Sequence, residues 1–284
     1  MRLITWNIQW GRGADGRVDL GRIVDTLRSM DPADVICLQE VAQNVEGLAG
    51  AEPDDGPAVL AAAFADYEPV YGPGVDVPAR AGGRARFGNL MLSRLPVDQV
   101  FRHLLPFPAD ASVPGMQRGC IEAVVAAPSG PVRVLTTHLE YYSVRQRTAQ
   151  VEALRALQAE RSLQERAGAG TSKESCPVFA SRPRPPSAIL CGDFNFEPDS
   201  PEHALMGEST NHEGVCFVDA WRALCGTVPH APTVGLHGAE WPDRTYCCDF
   251  FWVSRDLVPR LQSITVDAAT AASDHQPILL EIDS

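Results

Sequence analysis

Six polar clusters stand at or beside the ends of apolar runs. Asn7 follows Trp6 at the end of the first run. Gln39 and Glu40 close Val35-Ile36-Cys37-Leu38, and His138 follows Thr137 after the run from Val132. Gly192-Asp193-Phe194-Asn195 closes Ala188 to Cys191, Asp249 lies inside residues 246–253, and Ser273-Asp274-His275 precedes the last apolar run. Carboxylates and imidazoles take up and release protons, and carboxamides hold the partners in place. Strand ends in a layered α/β fold gather at one rim and form a crevice there. Each cluster alone has a bland account. A Glu after a buried strand can be a solvated turn, an Asp-x-Asn can be a turn former, and a strand-end His can be satisfied by hydrogen bonds. Six such clusters in one chain point instead to a shared acid–base site. A nucleophilic triad is not implied, because Ser273, Asp274 and His275 are contiguous.

The elements that must position these residues alternate along the chain. Residues 3–8 read as a strand, and 19–30 as a helix with Leu20, Ile23, Val24 and Leu27 at helical spacing. Residues 34–38 read as a buried strand and 58–64 as a helix. Strands follow at 89–92, 97–104, 121–125 and 132–137, bounded by Pro or Gly. Residues 145–166 form the longest helical pattern, with Val151, Leu154, Leu157 and Leu163 on one stripe. Strands at 188–191, 246–253, 263–266 and 277–282 complete the set. Residues 72–86 and 224–242 lack periodicity and read as long loops that frame a site. Residues 167–187, rich in Gly, Ser, Pro and Arg, read as a flexible surface loop. The pattern predicts an α/β sandwich with mixed sheets, in one domain spanning residues 1–284.

Composition narrows the function. The chain has 284 residues, 45% hydrophobic and 21% charged, which excludes a disordered or fibrous protein. Its 24 basic and 36 acidic residues leave a net charge of −12, a field that repels polyanions and argues against processive work on duplex DNA. The eight Cys form no CxxC pair, so a structural zinc site is not expected. No charged-then-apolar leader and no apolar run of about 18 residues is evident. The expectation is a reduced, cytoplasmic protein without a membrane anchor.

The segments Thr5-Trp6-Asn7, Leu38-Gln39-Glu40, Thr137-His138-Leu139, Gly192-Asp193-Phe194-Asn195 and Ser273-Asp274-His275 resemble, in order, the motifs of the endonuclease/exonuclease/phosphatase superfamily. Gly88-Asn89-Leu90-Met91-Leu92-Ser93 resembles its middle strand. The resemblance runs from Asn7 to His275. It implies a deoxyribonuclease I-like, four-layer α-β-β-α sandwich with two mixed β-sheets, and metal-assisted hydrolysis of a phosphoester. In that scheme Glu40 and Asp274 hold Mg²⁺ or Mn²⁺, which prefers oxygen ligands and keeps several waters, and Asn7 orients that shell or meets a phosphate oxygen. Asp193 is the general base on water, and Asn195 holds the nucleophile or a phosphate oxygen. His275 donates to the phosphoryl oxygens, Asp249 fixes its tautomer, and His138 adds a donor. Where some nuclease members carry an acid two residues after the Asn, this chain has Gln9, which argues against a second metal.

Substrate contacts are less determined. Arg84 and Arg86, with Arg80, crowd the loop expected at 72–86, where they form either a phosphate clamp or a solvated face. Arg118 opens a strand and reaches the cleft or pairs at its rim. Trp241-Pro242-Asp243-Arg244 partly echoes a run found in the inositol-lipid phosphatases, so Trp241 and Arg244 are candidates, and both Trp241 and Trp221 can stack on a base or simply pack. The expected partner is a phosphoester, either a small molecule or a nucleic acid. A nuclease or DNA-end phosphodiesterase is the alternative enzyme, and a non-catalytic binding platform is the contrasting class.

Overall fold

A computed structural model of the chain describes residues 1–168, 176–209 and 217–283. The strands are β1 (Arg2–Asn7), β2 (Val35–Gln43), β3 (Glu68–Pro78), β4 (Arg84–Ser93), β5 (Val97–Leu104) and β6 (Gly119–Ala127). They continue as β7 (Gly130–His138), β8 (Ala188–Asp193), β9 (Phe217–Asp219), β10 (Asp249–Ser254), β11 (Leu261–Val266) and β12 (Ile278–Ile282). The helices are α1 (Leu20–Ser29), α2 (Gly56–Ala63), α3 (Val144–Ala167), α4 (Pro201–Gly207) and α5 (Ala220–Cys225). Short polar side chains begin the longer helices: Asp19 accepts from the Gly21 N–H and Ser143 from the Gln146 N–H.

One sheet has the order β11-β12-β1-β2-β4-β3 and the other β5-β6-β7-β8-β10-β9. Both are mixed, because β1 runs parallel to β2 and β7 parallel to β8. Strand residues alternate between faces, and here both faces are covered, so the central runs read as continuously apolar. Leu3, Cys37 and Met91 of the first sheet meet Ile121, Val134 and Phe251 of the second in the inner layer. Ile4, Trp6 and Leu38 face outward onto Ile23 and Leu27 of α1 and Leu60 of α2. On the other side Leu135, Leu190 and Trp252 pack on Val151 and Leu154 of α3 and Met206 of α4. The four layers are those the resemblance implied.

Two expectations need correction. Residues 72–86 are not a loop; they lie largely in the β3–β4 hairpin, paired from Glu68 with Ser93 to Pro78 with Arg84. Gly and Pro disguised the strand. A Cβ at Gly72 would overlap the Ile121 side chain of the other sheet, and β3 is an edge strand, where Pro is tolerated. The strand expected at 246–253 begins only at Asp249, which therefore stands at the strand's mouth rather than inside it. Segment 167–187 holds a single 3₁₀ turn at Pro177–Phe179 among its described residues, and 169–175 lie outside them. Of the loop expected at 224–242, Leu224 and Cys225 end α5, and residues 226–242 carry no helix or strand beyond an isolated bridge at Val234. No helix among the described residues is long and apolar enough to cross a membrane.

Candidate active site

Strand register builds the site. Parallel pairing sets Asn7 opposite Gln39, next to Glu40. In the other sheet β7 sets His138 beside Asp193, and β10 sets Asp249 on the far side of the same residue. Gly192 makes that possible: its φ is +140°, and a Cβ there would overlap the Thr137 carbonyl. His275 arrives from the segment before β12, bridged to Val234, with Trp6 Nε1 donating to its carbonyl at 2.9 Å.

Two site residues have left-handed backbones. Glu40 has φ 57° where the pairing of β2 with β4 slips between Leu38 and Val41, and this bulge turns Glu40 out of the ladder. Asn195 has φ 52° just beyond β8, and Gln9 and Trp10 have φ 43° and 46° beyond β1. Such conformations cost of order 1 kcal/mol or more each and cluster at functional sites.

Asn7 Nδ2 donates to Glu40 Oε1 at 3.1 Å and to Asp193 Oδ2 at 3.0 Å, while its Oδ1 accepts from the Gln9 N–H. The amide nitrogen faces the two carboxylates, so Asn7 orients them. Asp193 Oδ1 accepts from the Asn195 N–H at 2.9 Å. Asn195 Nδ2 donates to His138 Nε2 at 2.9 Å and to the Leu139 carbonyl at 3.0 Å. With Nε2 accepting, the His138 proton belongs on Nδ1, 3.8 Å from Glu40 Oε1. Burial, reinforced by the Arg118 charge, brings His138 down to about 3, so its ring is neutral. His275 is the opposite case. Burial works against its charged form, but the carboxylates of Asp249 and Asp193 outweigh it and raise the pKa well above the usual range. Its Nδ1 lies 2.9 Å from Asp249 Oδ2, which also accepts from Thr233 Oγ1 at 2.6 Å, and its Nε2 lies 3.7 Å from Asp193 Oδ2.

Glu40, His138, Asp193, Asn195 and His275 line a cleft of about 530 Å³ that also holds Asp274, while Asn7 and Asp249 are not in its lining and reach it through their hydrogen bonds to Asp193 and His275. Burial, then the charge of Asp274, pushes the Glu40 carboxyl up to about 7. Asp274 is raised as well, chiefly by burial, although Gln9 Nε2 donates to its Oδ2 at 2.7 Å. Two crowded carboxylates with oxygen donors only are a donor set that suits a hard divalent cation, and their mutual repulsion is what such an ion relieves. Two other clusters do not line this cleft as cation sites. Cys248 sits against Asp249, but burial holds its thiol well above its ordinary pKa, so it acts as an S–H donor. His203 and His230 converge on Asp219 Oδ2 at 3.0 and 2.7 Å, boxed in by Phe250, Trp252 and Trp221. His237 reaches the Ala268 carbonyl, and His212 lies outside the described residues.

Of the expected substrate contacts, Arg118 and Trp241 line the cleft. Arg118 Nε donates to Glu140 Oε2 at 3.3 Å, and its Nη1 is buried without a partner among the described residues. Arg84, Arg86 and Arg244 do not line it. Asp76 takes Arg84 Nε at 2.7 Å and Arg86 Nε at 3.2 Å, Arg80 sits 3.7 Å from Glu46, and Arg244 pairs with Glu197 over the Tyr246 ring. Their guanidiniums are engaged by carboxylates on their own edges. The sequence reading missed Phe87, Met116, Tyr141 and Tyr142 in the lining, and the buried Glu140 behind Arg118. Tyr141 and Tyr142 had one usable signal: they come three and four residues after the strand-ending His138, with no place in any apolar periodicity.

The family model for the endonuclease/exonuclease/phosphatase family matches residues 4–275. No curated protein matches the chain. Among solved structures, an endonuclease/exonuclease/phosphatase from Beutenbergia cavernae is similar at 22% identity and TM-score 0.69, covering 99% of this chain and 70% of that one. A 3′ phosphatase from Neisseria, bound to a product DNA hairpin, is similar at 19% identity and TM-score 0.59, with 100% of each chain covered. A mannosyl-6-phosphatase from Bacteroides thetaiotaomicron is similar at 14% identity and TM-score 0.66, again with 100% of each covered. At these identities the structures share the fold. The family model spans every strand end that builds the cleft, and the chain belongs to the endonuclease/exonuclease/phosphatase family of enzymes acting on phosphoester bonds.

Proposed function

We propose that the chain is a divalent-metal-dependent phosphoester hydrolase in which Asp193 activates water and His275 stabilises the phosphoryl transition state. One observation carries this reading. A charged His275 ring is held between Asp249 and Asp193, beside the crowded Glu40–Asp274 pair. Glu40 and Asp274 would hold Mg²⁺ or Mn²⁺, which would supply positive charge to offset the charge that develops on the phosphoryl group. Asn7 and the Asn195 N–H fix the Asp193 carboxylate, which takes the proton of the attacking water at Oδ2. His275 keeps its Nδ1 proton on Asp249 and turns Nε2–H to the phosphoryl oxygens as charge builds there. His138, neutral and pinned by Asn195, adds an N–H from Nδ1. Arg118 and Trp241 contact the substrate. Seven described Cys are unpaired thiols, which supports a cytoplasmic setting. The inner layer shared by both sheets supports treating residues 1–284 as one catalytic domain.

The test is turnover of bis-p-nitrophenyl phosphate with EDTA, Mg²⁺ or Mn²⁺. Turnover is expected only with metal, and Asp193→Asn should lower kcat by roughly 10²-fold or more. Full activity in Asp193→Asn would remove it from the base role. Absence of metal-dependent turnover on any of a broad phosphoester panel would sink the hydrolase reading.

A further inference from the structure

Among the residues lining the cleft, Arg118 is the only Arg or Lys, whereas five contribute aromatic rings. Trp10 and Phe87 come from the first sheet's side, with centroids 6.4 Å apart. Tyr141 and Tyr142 follow β7 and meet edge to face at 4.8 Å, and Trp241 meets Tyr141 at 5.4 Å. Trp241 is held in place, because its Nε1 donates to the Tyr141 hydroxyl at 3.0 Å. Its ring centroid lies 6.2 Å from that of His275 at an interplanar angle of 33°. Tyr141 is 40% exposed and Tyr142 56% exposed, so both rings are open to a ligand. A pocket of this size, with an aromatic lining and a few convergent polar groups, suits a small molecule.

The surroundings oppose a polyanion. Trp10 also borders a neighbouring cavity of about 470 Å³, whose lining includes Asp19, Glu52 and Asp54 and no Arg, Lys or His. Arg12 is tied to Glu240, as Arg84, Arg86 and Arg244 are tied to their own carboxylates. A strand of nucleic acid leaving the cleft past Trp10 would meet carboxylates, on a chain of net charge −12.

We propose that the substrate is a small phosphoester with a single phosphate and an attached aromatic ring, the phosphate lying against His275 and Arg118 and the ring against Trp241 and Tyr142. The proposal rests on the hydrolase reading above and names its substrate class. Stacking on such rings is sequence-tolerant in nucleic-acid sites and equally available to any planar group.

Two measurements test it. In calorimetry with Mg²⁺ present, phenylphosphonate is expected to bind roughly tenfold or more tighter than methylphosphonate. In kinetics, 2-phenylethyl phosphate is expected to exceed ethyl phosphate in kcat/KM for phosphate release by a similar factor; the two leaving alcohols have similar pKa, and only one carries a ring. Trp241→Leu and Tyr142→Leu should collapse the ratio, and Tyr142→Phe should keep it. Equal binding and equal kcat/KM for the two partners would overturn the proposal while leaving the hydrolase reading intact. A thymidine oligonucleotide that competes better than phenylphosphonate, with steep salt dependence, would overturn it too. If neither ester is turned over, the broad phosphoester panel decides the hydrolase reading, and the calorimetric ratio still decides whether the cleft prefers a ring.

Discussion

In the proposed mechanism His275 serves the phosphoryl transition state only while charged, and Asp249 leads the carboxylates that favour its charged form. Burial lowers the pKa of the ring, and the facing carboxylates reverse that effect. Asp249→Asn keeps the shape and removes one charge, so the folded-state pKa of His275 should fall. The sign follows directly. A raised histidine pKa keeps the ring charged, and its contribution to stability present, until pH rises through that folded value. In Asp249→Asn the loss sets in at lower pH. The basic limb of kcat/KM against pH, at saturating metal, should therefore move to lower pH. A limb that stays in place would take His275 out of the charged-donor role. Asp249 and His275 were legible in the sequence because each is a polar interruption beside an apolar run. The face of Asn7 turned to the carboxylates was not legible, since it depends on Gln9 occupying Oδ1.

The strands aim the site, and the closest approach between them is at Gly192. Its φ of +140° is strained for any other residue, and a Cβ there would run into the Thr137 carbonyl of β7. Gly192→Ala must push β8 away from β7, which disturbs His138 and Asp193 together because they are partners in that register. The expected cost is about 3 kcal/mol or more, read as a lower denaturant midpoint with an unchanged slope. A midpoint equal to that of the native chain would show that β8 can shift freely and that the register argument is wrong. The same sterics explain what the sequence hid. Central strands such as β1, β2 and β8 are buried on both faces and announce themselves as apolar runs. The edge strand β3 carries Gly72, Pro73 and Gly74 for close approach and for a bulge, so its alternation is broken, and it reads as a loop. That misreading also left Arg84 and Arg86 open as either a phosphate clamp or a solvated face, whereas the hairpin pins them to Asp76.

At the scale of the molecule, two sheets of a chain with net charge −12 bring Glu40, Asp274 and Asp193 to one rim, and the fold bears that repulsion. Glu40 shows the consequence. Its pKa rises from 4.5 to about 7 on folding, so the metal-free folded state holds a proton that the unfolded chain has released. For this group, stability is full below 4.5 and is lost as pH rises toward about 7. A divalent cation competes with that same proton, so its apparent affinity should increase over the window in which Glu40 ionises and level off above it. Ligand linkage then gives about 2.7 kcal/mol when metal exceeds its Kd a hundredfold, a rise of several degrees in Tm for a chain of this size. The gain in Tm from Mg²⁺ or Mn²⁺ should therefore be small well below pH 7 and reach a plateau above it. In Glu40→Gln the gain should be smaller and nearly independent of pH. A native chain whose gain is the same on both sides of neutrality would mean that the cation does not meet Glu40, and that the crowded pair at the rim serves some purpose other than holding it.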